Sequence, residues 1–154
     1  MADFFLDSSA IVKRYVNETG TVFVDDLMQV KQGNAVFIAQ ITKVEVTSAF
    51  ARRKKGKTLS VIDAAASVDS FNIDLDDIYY TVDLTSDHIA SATDLATKYA
   101  LRGYDAVQLA TALAANYDVI ENGGSSLVFV SADGELNAAA TAEGLSVENP
   151  NDYT

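Results

Sequence analysis

The sequence predicts an α/β fold, a three-layer α/β/α sandwich with a central, mainly parallel sheet. Short apolar runs typical of strands alternate along the chain with longer segments whose apolar residues recur at helical spacing. The strand-like runs are continuously apolar, as expected for strands that are buried on both faces. Strands separated by helices in this way are typical of a parallel sheet that is covered by helices on both sides.

The predicted strands are short apolar runs. The first, DFFLD, ends in an acid, and SSLVFVSAD is the clearest strand in the chain. The run IYYTVDL alternates poorly, and we predict it to be a strand that separates two helical segments. The strands are predicted at 3–7, 35–40, 78–84, 125–133 and 145–150.

The predicted helices have apolar residues at helical spacing. Ser8 or Ser9 can serve as the N-cap of the first helix. The helix in RGYDAVQLATAL is rich in small residues, which allow close packing against a sheet, and the helix in TKVEVTSAFARRKK has a basic end. The helices are predicted at 8–16, 42–55, 58–71, 86–100, 104–116 and 135–144.

The chain has 154 residues, which is long enough to bury the core of one domain. We place this domain at residues 1–150 and treat 151–154 as a C-terminal tail. Hydrophobic residues make up 49% of the chain, which indicates a folded protein. The absence of cysteine excludes disulfides and thiolate sites and suits a cytoplasmic location. The N-terminal segment predicts neither a signal peptide nor a membrane span.

Charge is unevenly distributed along the chain, whose net charge is −11. Residues 1–57 hold nine of the eleven Lys and Arg residues against six acids, a balance of +3. Residues 58–154 hold two bases and sixteen acids, a balance of −14. The basic part is where a polyanion such as nucleic acid can bind, and the acidic part can attract a basic protein partner.

Four acids are candidates for one functional site. Ligands of open α/β sheets bind beyond the carboxyl ends of the strands, where Asp7 and Asp133 are predicted to lie. Asp105 opens one predicted helix, and Glu45 lies early in another. Carboxylates that converge repel one another and need a compensating cation. Hard oxygen ligands suit Mg²⁺ or Mn²⁺, so the pattern favours phosphoryl transfer or phosphodiester hydrolysis.

Each of these acids also has a purely structural interpretation. Asp105 can stabilise its helix by lying in the first turn, near the positive end of the helix dipole. Asp7 can cap the helix that follows it, and Asp133 can be an ordinary turn residue. Glu45 can belong to a polar stripe on a helix surface. Their spacing alone therefore leaves both interpretations open.

Four segments of the sequence resemble the motif blocks of a known family. They are FFLDSSAIVKRYVNETGT, ITKVEVTSAFARR, RGYDAVQLATAL and LVFVSADGELNAAATAEGLSVENP. In this order they are similar to the blocks of PIN-domain proteins, and most similar to those of VapC-type toxins of bacterial toxin–antitoxin pairs. The resemblance implies an α/β/α fold, Mg²⁺- or Mn²⁺-dependent endoribonuclease activity, inhibition by a VapB-like antitoxin and frequent homodimers.

The resemblance also assigns roles to the four acids. Asp7 and Asp105 match the acids of the first and third blocks, which are the more specific ones, and are the firmest implied metal ligands. Glu45 and Asp133 match the acids of the second and fourth blocks. The implied catalytic cluster therefore contains all four carboxylates.

Two further features of these blocks concern the site. Ser8 and Ser131 fall where the family often places hydroxyl groups near the metal. In the fourth block, Gly134 and Glu135 follow the acid at the place where the family often has a basic residue. The chain departs from the family pattern at this point.

Three other segments contain residues with chemical potential. The basic segment 51–57 can contact RNA phosphates, and the alternative is a solvated helix end that favours the dipole. His88, the single histidine, is predicted to be a surface or capping residue. The acid-rich segment 74–80 is predicted to be a solvated loop leading into a strand, because it lacks the glycine and the last glutamate of a calcium loop.

The leading hypothesis is therefore a metal-dependent endoribonuclease that acts as a toxin. Asp7 and Asp105 would hold Mg²⁺ or Mn²⁺, and Glu45 and Asp133 would complete the cluster. Its partners would be RNA, a VapB-like antitoxin and a second copy of the chain. The alternative is a non-catalytic PIN-like interaction module that keeps the acidic pocket. A phosphatase with an aspartate nucleophile fits less well, because Ser9 stands where a second acid is wanted.

Overall fold

A computed structural model describes residues 1–153 of the chain and, at Val30, the backbone alone. Within these residues five strands form one sheet in the order β3-β2-β1-β4-β5, and every neighbouring pair is parallel. The predicted α/β/α class with a parallel sheet is confirmed. The strands are β1 (Asp3–Leu6), β2 (Ala35–Ala39), β3 (Tyr79–Val82), β4 (Val128–Val130) and β5 (Ser146–Glu148).

Helices follow or precede each strand, and residues 1–153 contain seven α-helices. Short 3-10 turns lie at Val30–Gln32 and Pro150–Asp152. None of the helices in this part of the chain combines the length and the apolar character needed to cross a membrane. The helices are α1 (Ser8–Tyr15), α2 (Thr21–Leu27), α3 (Thr42–Lys55), α4 (Val61–Asp77), α5 (Ser86–Tyr99), α6 (Gly103–Glu121) and α7 (Gly134–Ala142).

Two hydrophobic cores lie on the two faces of the sheet. Successive strand residues point to opposite faces, so Phe5 belongs to one core and Leu6 to the other. Helices α5, α6 and α7 contribute to the Phe5 core, and α1 to α4 contribute to the Leu6 core. On the first face, Phe5 stacks on Phe129 with ring centroids 6.0 Å apart. Burial on both faces explains the apolar runs of the inner strands β1, β2 and β4, whereas the edge strands β3 and β5 contain exposed residues.

Helix α6 packs closely through small residues, as its sequence predicts. Ala106, Ala110 and Ala112 are all buried and belong to the Phe5 core. The helix begins at Gly103 and continues to Glu121, five residues beyond the predicted end. A helix that is buried along most of its length gives rigid support to the residues of its first turn.

Helix α2 was not indicated by the sequence pattern. It is seven residues long and begins after Gly20, which has a φ of 88° and supplies no side-chain cap. Neither length nor a capping residue therefore marks the helix in the sequence. Val24 and Leu27 bury its inner face in the Leu6 core.

The prediction of a solvated loop at 74–80 is wrong at its beginning. Helix α4 continues through Asp77, and β3 follows it directly. Asp74 accepts hydrogen bonds from Arg14 Nε at 2.9 Å and from Tyr15 Oη at 2.7 Å. These bonds hold the acidic end of α4 against α1, so an acid that resembles loop sequence belongs to a packed helix.

The late part of the chain also differs in detail from the prediction. Strand β4 occupies only the centre of the predicted range 125–133. Of the predicted tail 151–154, Thr154 lies outside the described residues. The ring of Tyr153 stacks on Phe23 with centroids 4.2 Å apart, so the chain contacts α2 up to this point. The assignment of residues 1–150 to one domain stays a prediction.

Candidate active site

The site lies at the carboxyl ends of the neighbouring strands β1 and β4. Asp7 follows β1, and its backbone N–H donates to the carbonyl oxygen of Val130 at the end of β4, at 3.1 Å. Asp7 is the N-cap of α1 and accepts from the N–H of Ala10, so the expectation that Ser8 or Ser9 caps this helix is wrong. The chain thus turns from strand to helix at the acid itself.

Hydroxyl donors surround the buried carboxylate of Asp7. Ser9 Oγ donates to Oδ1 at 2.7 Å, and Ser131 Oγ donates to Oδ2 at 2.6 Å. Burial raises the pKa of Asp7 to about 6, and the charge of Asp105 adds to this effect. The two hydroxyls and the N–H of Ala10 oppose it because they stabilise the ionised form. A buried carboxylate with a raised pKa is typical of functional sites.

Asp105 and Asp133 share one cationic partner. Asp105 lies in the first turn of α6, and Asp133 is the N-cap of α7, where it accepts from the N–H of Leu136. Arg102 donates from Nε to Asp105 and from Nη2 to Asp133, both at 3.1 Å. Burial raises the pKa of Asp105, while Arg102 opposes that shift. The guanidinium therefore lies between Asp105, a predicted metal ligand, and Asp133, another acid of the predicted cluster.

Glu45 lies in the first turn of α3 and accepts a hydrogen bond from Gln108. Gln108 was not among the residues predicted from the sequence. Gln108 Nε2 donates to Glu45 Oε1 at 2.8 Å. Gln108 comes one helical turn after Asp105 on α6. Gln108 is a polar residue in a helix that is otherwise rich in buried small and apolar residues. This exception, one turn from Asp105, could have identified Gln108 as a site residue.

All four predicted acids line one cleft of about 540 Å³. The same cleft is lined by basic residues from α1 and α3. Lys13 is buried and donates to Glu18 Oε1 at 3.1 Å, and Arg53 donates to the other oxygen of Glu18 at 2.9 Å. Arg52 also lines the cleft, so part of the basic segment 51–57 lies at the site. Lys13 carried no signal in the sequence as a site residue.

The remaining predicted residues are also placed. Ser131 contacts Asp7 directly, whereas Ser8 accepts from the amide of Gln108 at 3.1 Å. Ser9, which was not among the predicted site residues, contacts Asp7 as well. His88 belongs to the capping box at the start of α5, so its prediction as a capping residue is confirmed.

The donor set of the cleft is chemically suited to a hard cation. Its carboxylates offer the oxygen ligands that Mg²⁺ and Mn²⁺ prefer. As the side chains of residues 1–153 are placed, no three acids stand close enough together to hold an ion. The guanidinium between Asp105 and Asp133 is a cation in that position, and its side chain is 81% exposed. The donors therefore suit a hard cation by their chemistry, whereas in the arrangement observed Asp105 and Asp133 hold the Arg102 guanidinium.

The family of the chain follows from its sequence. The family model of the PIN domain matches residues 4–140, a range that runs from β1 into α7 and contains all four acids. The chain therefore belongs to the PIN domain family. Comparison with curated protein sequences gives no match.

Solved structures share the fold at low sequence identity. VapBC2 from Rickettsia felis, bound to a DNA fragment from its promoter, is 15% identical with a TM-score of 0.61, over 96% of this chain and 98% of that one. PAE2754 from Pyrobaculum aerophilum is 16% identical with a TM-score of 0.64, over 98% and 85%. A toxin–antitoxin complex from Klebsiella pneumoniae is 17% identical with a TM-score of 0.59, over 96% and 97%. At such identities the likeness shows the fold.

Proposed function

We propose that the chain is a metal-dependent endoribonuclease that hydrolyses RNA phosphodiester bonds. One observation carries this proposal: four carboxylates from four separate helix starts line a single cleft that is also lined by basic residues. A cleft lined only by acids would repel a phosphate group. A cleft lined only by basic residues would bind the phosphate group but would hold no cation to promote its hydrolysis. Together the acids and the basic residues suit a substrate that is anionic and a reaction that needs a bound cation. The acids are Asp7, Glu45, Asp105 and Asp133.

Asp7 and Asp105 would hold Mg²⁺ or Mn²⁺, and Glu45 and Asp133 would complete the cluster. When bound, the ion would polarise a phosphate oxygen and lower the pKa of a water molecule. Neighbouring residues of the chain hold the carboxylate of Asp7 in place. Ser9, Ser131 and the N–H of Ala10 fix the orientation of Asp7 through three hydrogen bonds.

The basic residues of the cleft would bind the RNA backbone. Arg53 Nη1 is buried and has no acceptor among residues 1–153, although Nη2 pairs with Glu18. A buried donor without a partner is unfavourable, so an incoming phosphate oxygen would stabilise it. Lys13 and Arg52 add positive charge in the same cleft. These side chains would position the phosphodiester beside the acids.

Physiologically, we assign the chain to the toxins of toxin–antitoxin pairs. The PIN domain family and the fold shared with VapBC2 and with the Klebsiella pneumoniae complex support this assignment. The partner would be a VapB-like antitoxin that suppresses cleavage. A homodimer is the expected assembly of the toxin. The site of action would be the cytoplasm.

RNA cleavage by the purified chain tests the proposal. Cleavage should require Mg²⁺ or Mn²⁺, stop in excess chelator and return when the metal is added back. Asp7→Asn and Glu45→Gln should lose at least about 100-fold in rate, because each removes a carboxylate charge without changing shape. Asp87→Asn removes an exposed first-turn acid of α5 and is the matched control, expected to cleave like the wild type. Unchanged cleavage in chelator would contradict the metal assignment.

The second candidate is a non-catalytic interaction module that retains the acidic pocket. Arg102 favours it, because its guanidinium already pairs with both Asp105 and Asp133 and offsets part of their charge. The sequence Gly134–Glu135 in the fourth block points the same way. A chain that binds an antitoxin but cleaves no RNA at any metal concentration would support this alternative.

A further inference from the structure

Gln108 is a buried amide that joins three elements at the floor of the cleft. It is 1% exposed, and it lies on α6 in a helix face that is otherwise filled by small and apolar residues. Its Nε2 lies 2.8 Å from Glu45 Oε1, 2.9 Å from Thr42 Oγ1 and 3.1 Å from Ser8 Oγ. The two hydrogens of Nε2 face these three acceptors, which fixes the position of the amide in the floor of the cleft.

The charge of Glu45 fixes the orientation of this amide. With Nε2 toward Glu45, the amide donates to a carboxylate, which is among the stronger hydrogen bonds in proteins. The reversed amide would place two acceptor oxygens against each other. In the orientation observed, Gln108 Oε1 is buried and has no donor among residues 1–153.

We infer that Gln108 is a positioning residue that orients Glu45 toward a metal ion bound at the acids. The inference rests on the proposed function and extends it to a residue outside the four acids. By donating to Oε1, Gln108 leaves Oε2 of Glu45 available to the cation or its water. Hydrogen-bond partners of ligating carboxylates fix ligand geometry, and their loss typically weakens metal binding about 10-fold to 100-fold.

A purely structural role for Gln108 makes a different prediction. In that case the amide only ties α6 to Ser8 of α1 and to Thr42 of α3, and its loss lowers the free energy of unfolding without affecting metal binding. Thr111 provides a matched control. It is a buried polar residue on the same helix, and its hydroxyl donates to the backbone of Val107, away from the acids.

The test is a titration of the full chain with Mn²⁺, followed by electron paramagnetic resonance of the free ion. Gln108→Met keeps the length of the side chain and removes its hydrogen bonds. We expect it to bind Mn²⁺ about 10-fold to 100-fold more weakly than the wild type. Thr111→Val should bind Mn²⁺ as the wild type does. If Gln108→Met does not fold, Gln108→Asn keeps a buried amide that is too short to reach Glu45, and the same loss is expected.

A second comparison tests whether Gln108 affects Mn²⁺ binding through Glu45. In a Glu45→Gln background, Gln108→Met should cause little further loss, because the two residues act through one contact. Equal Mn²⁺ affinity of Gln108→Met and the wild type would overturn the inference and leave the proposed function intact, as would an equal loss in both backgrounds. A wild-type chain that binds no Mn²⁺ would overturn both, which separates this result from the others.

Discussion

At the scale of single residues, Asp7 has a structural role as the cap of α1 and a proposed chemical role as a metal ligand. Its Oδ1 accepts from Ala10 N–H as the cap of α1 and also from Ser9 Oγ, while Oδ2 accepts from Ser131 Oγ. The structural interpretation of this acid and the functional one are therefore both compatible with its position. Their effects on stability have opposite signs, so substitutions can separate them.

We expect Asp7→Asn to raise the melting temperature of the metal-free chain at pH 8. Burial raises the pKa of Asp7 to about 6, so at pH 8 the folded chain carries a charge that is more stable in the unfolded chain. Asn removes the charge and can still cap α1. For a chain of this size, about 1 kcal/mol corresponds to about 2–4 °C.

The pH dependence of that difference provides the check. The advantage of Asp7→Asn should be complete above about pH 6 and should shrink as the pH falls toward the ordinary value of 3.8, because wild-type Asp7 takes up its proton. Asp7→Ala also removes the charge but loses the cap, which costs about 0.5–2 kcal/mol, so it should melt below Asp7→Asn. A lower melting temperature for Asp7→Asn at pH 8 would show that its charge stabilises the fold.

Arg102 holds oxygens of Asp105 and Asp133, which belong to the proposed metal cluster. We expect Arg102→Gln to bind Mn²⁺ several-fold more tightly than the wild type in the absence of RNA, because Asp105 and Asp133 lose their internal cation. Lys98→Gln is the matched control, since Lys98 is an exposed cation that pairs with Glu143 outside the cleft. Weaker Mn²⁺ binding by Arg102→Gln would mean that the guanidinium supports the metal site.

At the scale of elements, each of the four acids lies at the N-terminus of a helix. Asp7 and Asp133 are the N-caps of α1 and α7, and Glu45 and Asp105 lie in the first turns of α3 and α6. The positive end of a helix dipole favours a negative charge at this place. Helix starts therefore offset part of the repulsion among the four carboxylates, and they hold the side chains on rigid supports.

Gly20 determines how α2 packs against the C-terminal turn. A Cβ atom at this position would lie 2.5 Å from the carbonyl oxygen of Pro150, and the residue has a φ of 88°. We expect Gly20→Ala to lower the free energy of unfolding by clearly more than Gly123→Ala. Gly123 has a φ of 84° but no atom within 4 Å of an added Cβ, so it isolates the backbone strain of about 1–2 kcal/mol. Equal losses in urea unfolding would show that the turn yields to the new methyl group.

The strands and helices were predictable from the sequence where the pattern that indicates them lies within the element itself. The apolar runs at Phe5 and Phe129 and the small residues of α6 identified the sheet and its closest helix, because burial on both faces dictates their composition. The end of α4 was missed because the partners of Asp74 lie about sixty residues away on α1. A local sequence pattern cannot indicate a hydrogen bond between residues so far apart in the chain. An acid-rich segment without recognisable partners therefore resembles a loop.

At the scale of the whole molecule, the two oppositely charged parts of the sequence meet in the cleft. Lys13, Arg52 and Arg53 come from residues 1–57, whereas Asp105 and Asp133 come from the acidic remainder. The common location of the four acids was predictable because strand ends and helix starts constrain where such residues can lie, whereas their role as site residues stays a prediction. Gln108 was not, because its partner Glu45 is 63 positions away and only the fold brings the two together.

The proposed antitoxin should bind partly through charge. A basic segment of the antitoxin can pair with the acids of the cleft, so the complex should weaken as the salt concentration is raised. The affinity of the co-purified partner, measured in increasing NaCl, checks this expectation. A double variant, Asp105→Asn with Asp133→Asn, should bind more weakly and show a smaller salt dependence. Affinity that is indifferent to both salt and these substitutions would contradict an electrostatic mode of inhibition.

The hydrogen bond from Ser131 to Asp7 spans 124 positions of the chain and has a consequence for protein synthesis. A ribosome makes Asp7 long before Ser131 and Asp133, because Ser131 follows Asp7 by 124 positions. Until then β1 lacks its neighbour β4, and the acidic cluster is incomplete. Under the proposed function, a nascent or prematurely terminated chain would therefore lack the complete site and would not cleave RNA. An antitoxin made during that interval would be present before the proposed nuclease could act.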